Sequence, residues 1–184
     1  GLIYFGFKFL RYALDSWSAL ILSEHFALSS SMSAYLSTAF DWIGLLGVIA
    51  GGWWSDRMPG SRRTPVIFYM SCFCLLFTWL MWLIGLSTPT VFVVLLGLIG
   101  FFEMGPDALL SGASAMDVGS RRQAALAAGV INGFGSIGPI VQEPLIGWLK
   151  QHFGLDSVFL MLVIVGCITT FDTWLLMRYE RGRL

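Results

Sequence analysis

The sequence predicts an all-α membrane protein: one bundle of six transmembrane helices spanning residues 1–184, with no soluble domain. Three observations predict it. Mean hydropathy is +0.77. Charged residues are 12% of the 184 positions, about half the share of an ordinary soluble domain. The apolar residues collect into six runs, at 2–22, 34–54, 65–86, 90–112, 124–147 and 156–177, each near the ~20 residues a helix needs to cross a bilayer core.

Composition also removes function classes. Formal net charge is zero, so there is no global footprint for nucleic acid. Cys72, Cys74 and Cys167 sit inside apolar runs, an odd set that fits neither a disulfide framework nor zinc-ligand spacing. His25 and His152 lie in short connections, and no nucleophile–base grouping stands out. No metal, no cofactor and no enzymatic activity are therefore expected. The first residue is Gly1, and no basic segment precedes the first apolar run. That run is not expected to be a signal peptide, and the chain is expected to be a piece of a longer one.

The first run is the unusual one. It carries Lys8, Arg11 and Asp15 in its middle, where a charge costs about 2.5–3.5 kcal/mol even on lenient insertion scales. Residues three and four apart share a helical face, so these three form a charged strip that must look into protein or a watery cavity. One reading is an Arg11–Asp15 pair that neutralises itself. The other is an anion-binding site at mid-membrane; two cations against one anion favour the second.

The second run holds Asp41, an acid within a span, followed by Gly44, Gly47, Gly51 and Gly52, whose lack of side chains lets helices approach closely. The connection after it contains Asp56, Arg57, Arg62 and Arg63, with Pro59-Gly60 as a turn and Pro65 starting the next helix. The third run is uncharged, with Trp79 and Trp82 near its far end, and reads as a peripheral helix facing lipid. The fourth contains Glu103, Gly105, Pro106 and Asp107. Proline deletes a backbone hydrogen bond and glycine loosens the turn, so Gly105-Pro106 is an expected hinge with a polar lining; the alternative is a simple kink with Asp107 near the water boundary. The fifth run is rich in small residues, Gly129, Gly133, Gly135 and Gly138, and places Asn132 and Ser136 on one face. The sixth is apolar until Asp172, which is expected to be satisfied near Arg178.

Orientation follows from the cations. The second and fourth connections and the tail hold Arg57, Arg62, Arg63, Arg121, Arg122, Arg178, Arg181 and Arg183, while the other connections hold only Lys150. Lys and Arg of short loops collect on the cytoplasmic side, so both ends of the segment are expected in the cytoplasm.

The segment GGWWSDRMPGSRRTP, 51–65, resembles the loop between the second and third helices of each half in the major facilitator superfamily. FLRYALDSWSALILSEHFALSSSMSAY, 9–35, is similar to the seventh helix and following loop of the organophosphate:phosphate antiporters, the glycerol-3-phosphate and hexose-phosphate transporters. Asp41, Met104-Gly105-Pro106, and Asp117 with Arg121-Arg122 extend the match over the whole chain, which corresponds to the C-terminal six-helix half, a 3+3 inverted repeat. The resemblance implies that Arg11 holds the substrate phosphate from this half, and that a second arginine belongs to an N-terminal half of the same polypeptide. It implies exchange of a phosphorylated metabolite for inorganic phosphate by alternating access, in a bacterial inner membrane. Guanidinium is a permanently charged planar fork that matches phosphate oxygens. Lys8, Asp15, Asp41, Glu103 and Asn132 join Arg11 as candidate substrate contacts, and Asp56, Arg57, Arg62 and Arg63 as a conformational loop. Lys8, Glu103 and Asp107 add charges the resemblance does not supply. An extra cation suits a substrate bearing a carboxylate beside its phosphate; equally, Lys8 pairs with Asp15 or with an acid of the fourth run. Two other functions stay open: a non-transporting sensor of phosphorylated sugars, and a proton-coupled facilitator of another organic anion using Asp41, Glu103 or Asp107 as proton carriers.

Overall fold

The computed structural model describes residues 1–58, 63–113 and 121–181; of 112, 113, 121–124, 127 and 181 it describes the backbone alone. The described residues are almost all helical: α1 (Leu2–Glu24), α2 (Ser30–Ser37), α3 (Ala39–Arg57), α4 (Arg63–Ile84), α5 (Pro89–Ala108) with a π-helical turn (Leu109–Ala113), α6 (Arg121–Phe153) and α7 (Leu155–Arg181). Arg62, Asp117, Arg183 and the expected Pro59-Gly60 turn lie outside the described residues.

Local chemistry sets the ends. Ser29 and Thr88 cap α2 and α5, each side-chain oxygen accepting from a backbone N–H three residues on, at 3.3 and 3.2 Å, and Pro89 fills the first position of α5, where no donor is needed. A single residue, Gly154 at φ +81, separates α6 from α7. Its N–H closes on the Lys150 carbonyl at 3.1 Å, the left-handed helix stop that glycine adopts without strain.

Six spans emerge as expected, with α2 and α3 forming one broken span. Four stretches, Ser30–Arg57, Arg63–Ile84, Pro89–Ser111 and Leu155–Glu180, are long and apolar enough to cross a membrane. The α1 and α6 helices fall short of that mark for a physical reason. The first carries Lys8, Arg11 and Asp15; the second carries glycine, Asn132, Ser136, Gln142 and Glu143 where a lipid-facing helix would carry aliphatics. Both are long enough to span, at 23 and 33 residues, and their polarity marks helices that line something other than lipid.

Packing follows the small residues. The α3 helix lies along α5. A Cβ on Gly47 would collide with the Phe101 carbonyl, one on Gly100 with the Phe40 carbonyl, and one on Gly51 would lie 3.3 Å from the Gly105 Cα. This is close backbone approach of the small-xxx-small kind. The α1 helix packs on α6 through Gly135 and Gly138, and on α7 where Gly6 meets Thr169. Gly129 and Gly133, on the same helix as Gly135, have open space around them, so α6 uses its bare positions in two directions. At one end of the α1–α6 seam, the Trp17 indole donates to Glu143 at 2.9 Å and Lys150 pairs with Glu24.

The α4 helix lies against α5 and α7. Its outward stripe is Tyr69, Phe73, Leu76, Trp79 and Leu83; that of α7 is Leu160, Ile164, Ile168, Phe171 and Leu175. Together they make the peripheral apolar wall expected of the third run. The core between the layers is aliphatic and aromatic, around Phe40, Phe92, Phe159, Leu96 and Ile99, all fully buried.

Candidate functional site

Arg11 sits midway along α1, and its side chain pairs across to α5 rather than with Asp15. Its Nη1 donates to Asp107 Oδ2 of α5 at 2.8 Å. The self-neutralising pair within α1 is not what forms. The Asp107 side chain is 10% exposed and the Arg11 side chain 36%, so the arginine keeps an open side. That side faces a cleft of about 500 Å³ between α1, α3 and α5, walled by Asp41, Trp42, Val48, Met104 and Ser111 together with the ion pair. Ligand sites for small molecules run from about 300 to 1,000 Å³. Only one Arg11 nitrogen is hydrogen-bonded to a described residue; the rest of the fork has donors to offer. An oxyanion is the chemistry that such a group takes.

The backbone of α5 changes where it holds Asp107. Pro106 stands inside the helix and cannot donate to the carbonyl four residues back. Two residues after Asp107 the α-helix widens into the π turn, a distortion common at functional positions. Ser111 in that turn donates to the Asp107 carbonyl at 2.8 Å. Gly105 is used for close packing: Met70 and the Gly47 carbonyl occupy the space its Cβ would need. The irregularity expected at Gly105-Pro106 thus extends into 109–113.

The other candidates separate. Asp41, in the first turn of α3, lines the cleft and faces Asp15, which is exposed and within electrostatic range. Lys8 points to α6, donating to Ser136 Oγ at 3.1 Å and lying 5.1 Å from the centre of the Tyr4 ring. It pairs with neither Asp15 nor an acid of α5. Glu103 is wholly buried one turn before Asp107, with no hydrogen bond to either carboxyl oxygen. It is within electrostatic range of Arg11 and Asp107 as well as of Cys74 of α4, and is not part of the lining. Asn132 is exposed on α6 and is not part of the cleft lining. In the conformational loop, Asp56 and Arg57 are exposed at the end of α3, with the Arg57 guanidinium 3.7 Å from the centre of the Trp53 ring; Arg63 opens α4. Among the described residues no cluster of His, Cys, Asp or Glu is suited to a metal.

Three side chains around the site escaped the sequence reading. Tyr4 lies near Asp107 and Ser111, and its place was readable, since positions 4, 8 and 11 share a helix face. Ser111 is one turn beyond Asp107 and was readable on the same ground. Trp42 had no such signal, because its role depends on how α3 is rotated against α5.

Comparison with known proteins places the chain. A profile of the Major Facilitator Superfamily matches residues 1–183. This chain belongs to that superfamily. Among its relatives, it is 32% identical to the glycerol-3-phosphate transporter of Bacillus subtilis over 87% of this chain and 36% of that protein. It is 27% identical to a probable hexose phosphate transport protein of Chlamydia trachomatis, over 90% of this chain and 37% of that one. It is 25% identical to sugar phosphate exchanger 3 of Bos taurus, over 96% and 37%. The chain thus spans little more than a third of these relatives. The family resemblance expected from the sequence holds over nearly the whole chain: this is a membrane protein of a transporter superfamily, with relatives named for organic phosphates.

Proposed function

We propose that the chain is the C-terminal six-helix half of a twelve-helix secondary transporter, which exchanges a phosphorylated metabolite of the glycerol-3-phosphate or sugar-phosphate type for inorganic phosphate. The observation that carries this reading is Arg11: a guanidinium at membrane depth, held on one nitrogen by Asp107 and open to a cleft of small-molecule size on the other. An oxyanion that visits the cleft is the reason for tolerating that charge. The N-terminal half of the same polypeptide supplies the opposite wall and a second cation. Exposed apolar side chains of α3 (Trp42, Leu45, Ile49) and α6 (Val130, Phe134, Ile137) support such a neighbour. Rocking of the halves then exposes the site alternately to each side.

The membrane is a bacterial inner membrane with both ends of this segment in the cytoplasm. The arginines at the ends of α3, α4, α6 and α7 support that orientation against the single Lys150 on the other face. Exchange of labelled phosphate by the full-length protein in proteoliposomes tests the function. Saturable exchange, competed by organic phosphates, is expected. Transport that follows pH and ignores phosphate would select the proton-coupled facilitator, and ligand binding without flux the sensor.

A further inference from the structure

The pairing of Arg11 with Asp107 has a consequence for how the carrier cycles. In an exchanger, the empty form must be hindered from crossing, or each half-cycle would leak. Charge supplies the hindrance: closing the cleft around an unpaired guanidinium strips its water without a replacement, whereas closing it around a bound phosphate does not. Here a carboxylate already stands where the phosphate oxygen would be, 2.8 Å from Nη1. It belongs to α5, in the same half as α1, so the pair stays together whatever the opposite half does.

We propose that Asp107 is a resident substitute for the substrate anion: it neutralises Arg11 in the empty site, permits the empty carrier to close and return, and so makes net phosphate transport a normal activity beside exchange. This rests on the phosphate-exchange reading and deepens it. The hold is single: one nitrogen and one oxygen. A phosphate takes two donors of the fork at once and displaces the carboxylate. Asp107 is then received by groups already around it. The Tyr4 hydroxyl and Ser111 are adjacent, and Lys8 of α1 lies within electrostatic range. The π turn after Asp107 is the place where α5 can adjust as the carboxylate moves.

The experiment uses the full-length protein in proteoliposomes loaded with radiolabelled phosphate, the membrane potential clamped by potassium and an ionophore. Efflux is read into phosphate-free buffer (net transport) and into phosphate buffer (exchange). The native protein is expected to show net efflux within about ten-fold of exchange. Asp107→Asn is expected to lower that ratio at least ten-fold and to lower the KM for phosphate, since a competing anion is gone. Asp107→Glu is expected to restore the ratio towards native, and keeps the test decisive if the asparagine variant fails to assemble. Robust exchange by the native protein with net efflux below a hundredth of it overturns the proposal while leaving the exchange reading intact. So does an unchanged ratio in Asp107→Asn. Absence of labelled phosphate movement into either buffer removes the exchange reading, and this proposal with it.

Discussion

Two hollows of similar size among the described residues are opposites. Between α4 and α7 lies a groove of about 410 Å³ lined by Cys72, Leu75, Leu76, Trp79, Val163 and Cys167. Between α1, α3 and α5 lies the cleft of about 500 Å³ with Arg11, Asp41 and Asp107 in its wall. Volume does not distinguish them; charge does. An apolar groove on the outside of a membrane bundle is filled by acyl chains at no electrostatic cost. An arginine and two carboxylates within membrane spans each cost several kcal/mol unless paired or hydrated. The difference teaches where to look for function in a membrane protein: at the hollow whose lining is expensive.

The largest effect expected from that contrast is at Arg11. Arg11→Lys keeps the charge and loses the fork. Charge-assisted hydrogen bonding worth about 2–3 kcal/mol is removed, so phosphate exchange should fall about 30- to 150-fold at unchanged expression. The measurement is labelled-phosphate counterflow, and near-native counterflow would place the site elsewhere.

Next comes the joint that holds the cleft open to the correct width. At Gly47 a Cβ would run into the Phe101 backbone carbonyl, whereas at Gly52, on the same helix, nothing lies within 4 Å. Gly47→Ala should therefore destabilise by about 1–3 kcal/mol through overpacking and lower the thermal unfolding temperature of the purified full-length protein by several degrees. Gly52→Ala should be neutral or stabilise by up to about 1 kcal/mol, the helix-propensity gain. Equal effects at the two positions would mean that α3 and α5 are not in close contact.

How far the sequence could be read follows the same division. The apolar wall was fully legible: an uncharged run with a single outward stripe needs no partner information, and α4 lies where its composition put it. The spans were legible because length and hydropathy are local properties; even the two less apolar ones, α1 and α6, could be placed by the runs between their polar residues. At the cleft, residue types were legible and partners were not. Arg11 was the right residue to single out, but Asp15, one turn away in sequence, and Asp107, 96 residues away, were both eligible partners. Only the rotation of α1 against α5 decides between them. The same rotation sends Lys8 to α6 and leaves Glu103 buried outside the cleft lining. Periodicity fixes which residues share a face of one helix; it says nothing about which face of the next helix meets it.

A smaller effect is expected at the α3–α4 connection. Asp56 is exposed at the end of α3, outside the cleft, so it touches no substrate in the proposed cycle. Asp56→Asn should slow turnover several-fold with KM for phosphate within about two-fold of native, the pattern of a residue that acts on the conformational step alone. A raised KM with native turnover would instead connect this end of α3 to binding.

The smallest effect should come from the wall. Leu76 lines the apolar groove and is 41% exposed, and Ile164 on the outward stripe of α7 is 51% exposed. Alanine at either position removes methyl groups that face acyl chains rather than protein, so little cavity is left inside the bundle and the large-to-small penalty of a packed core, about 2–5 kcal/mol, does not apply. Exchange rate and KM should both stay within two-fold of native, and thermal stability in a bilayer should scarcely move. The comparison is sharpened by Ile99, fully buried where α5 enters the core, whose truncation to alanine should carry that full penalty. If Leu76→Ala cost as much as Ile99→Ala, the groove between α4 and α7 would be filled by something more specific than lipid, and the division between an inert wall and a charged cleft would have to be redrawn.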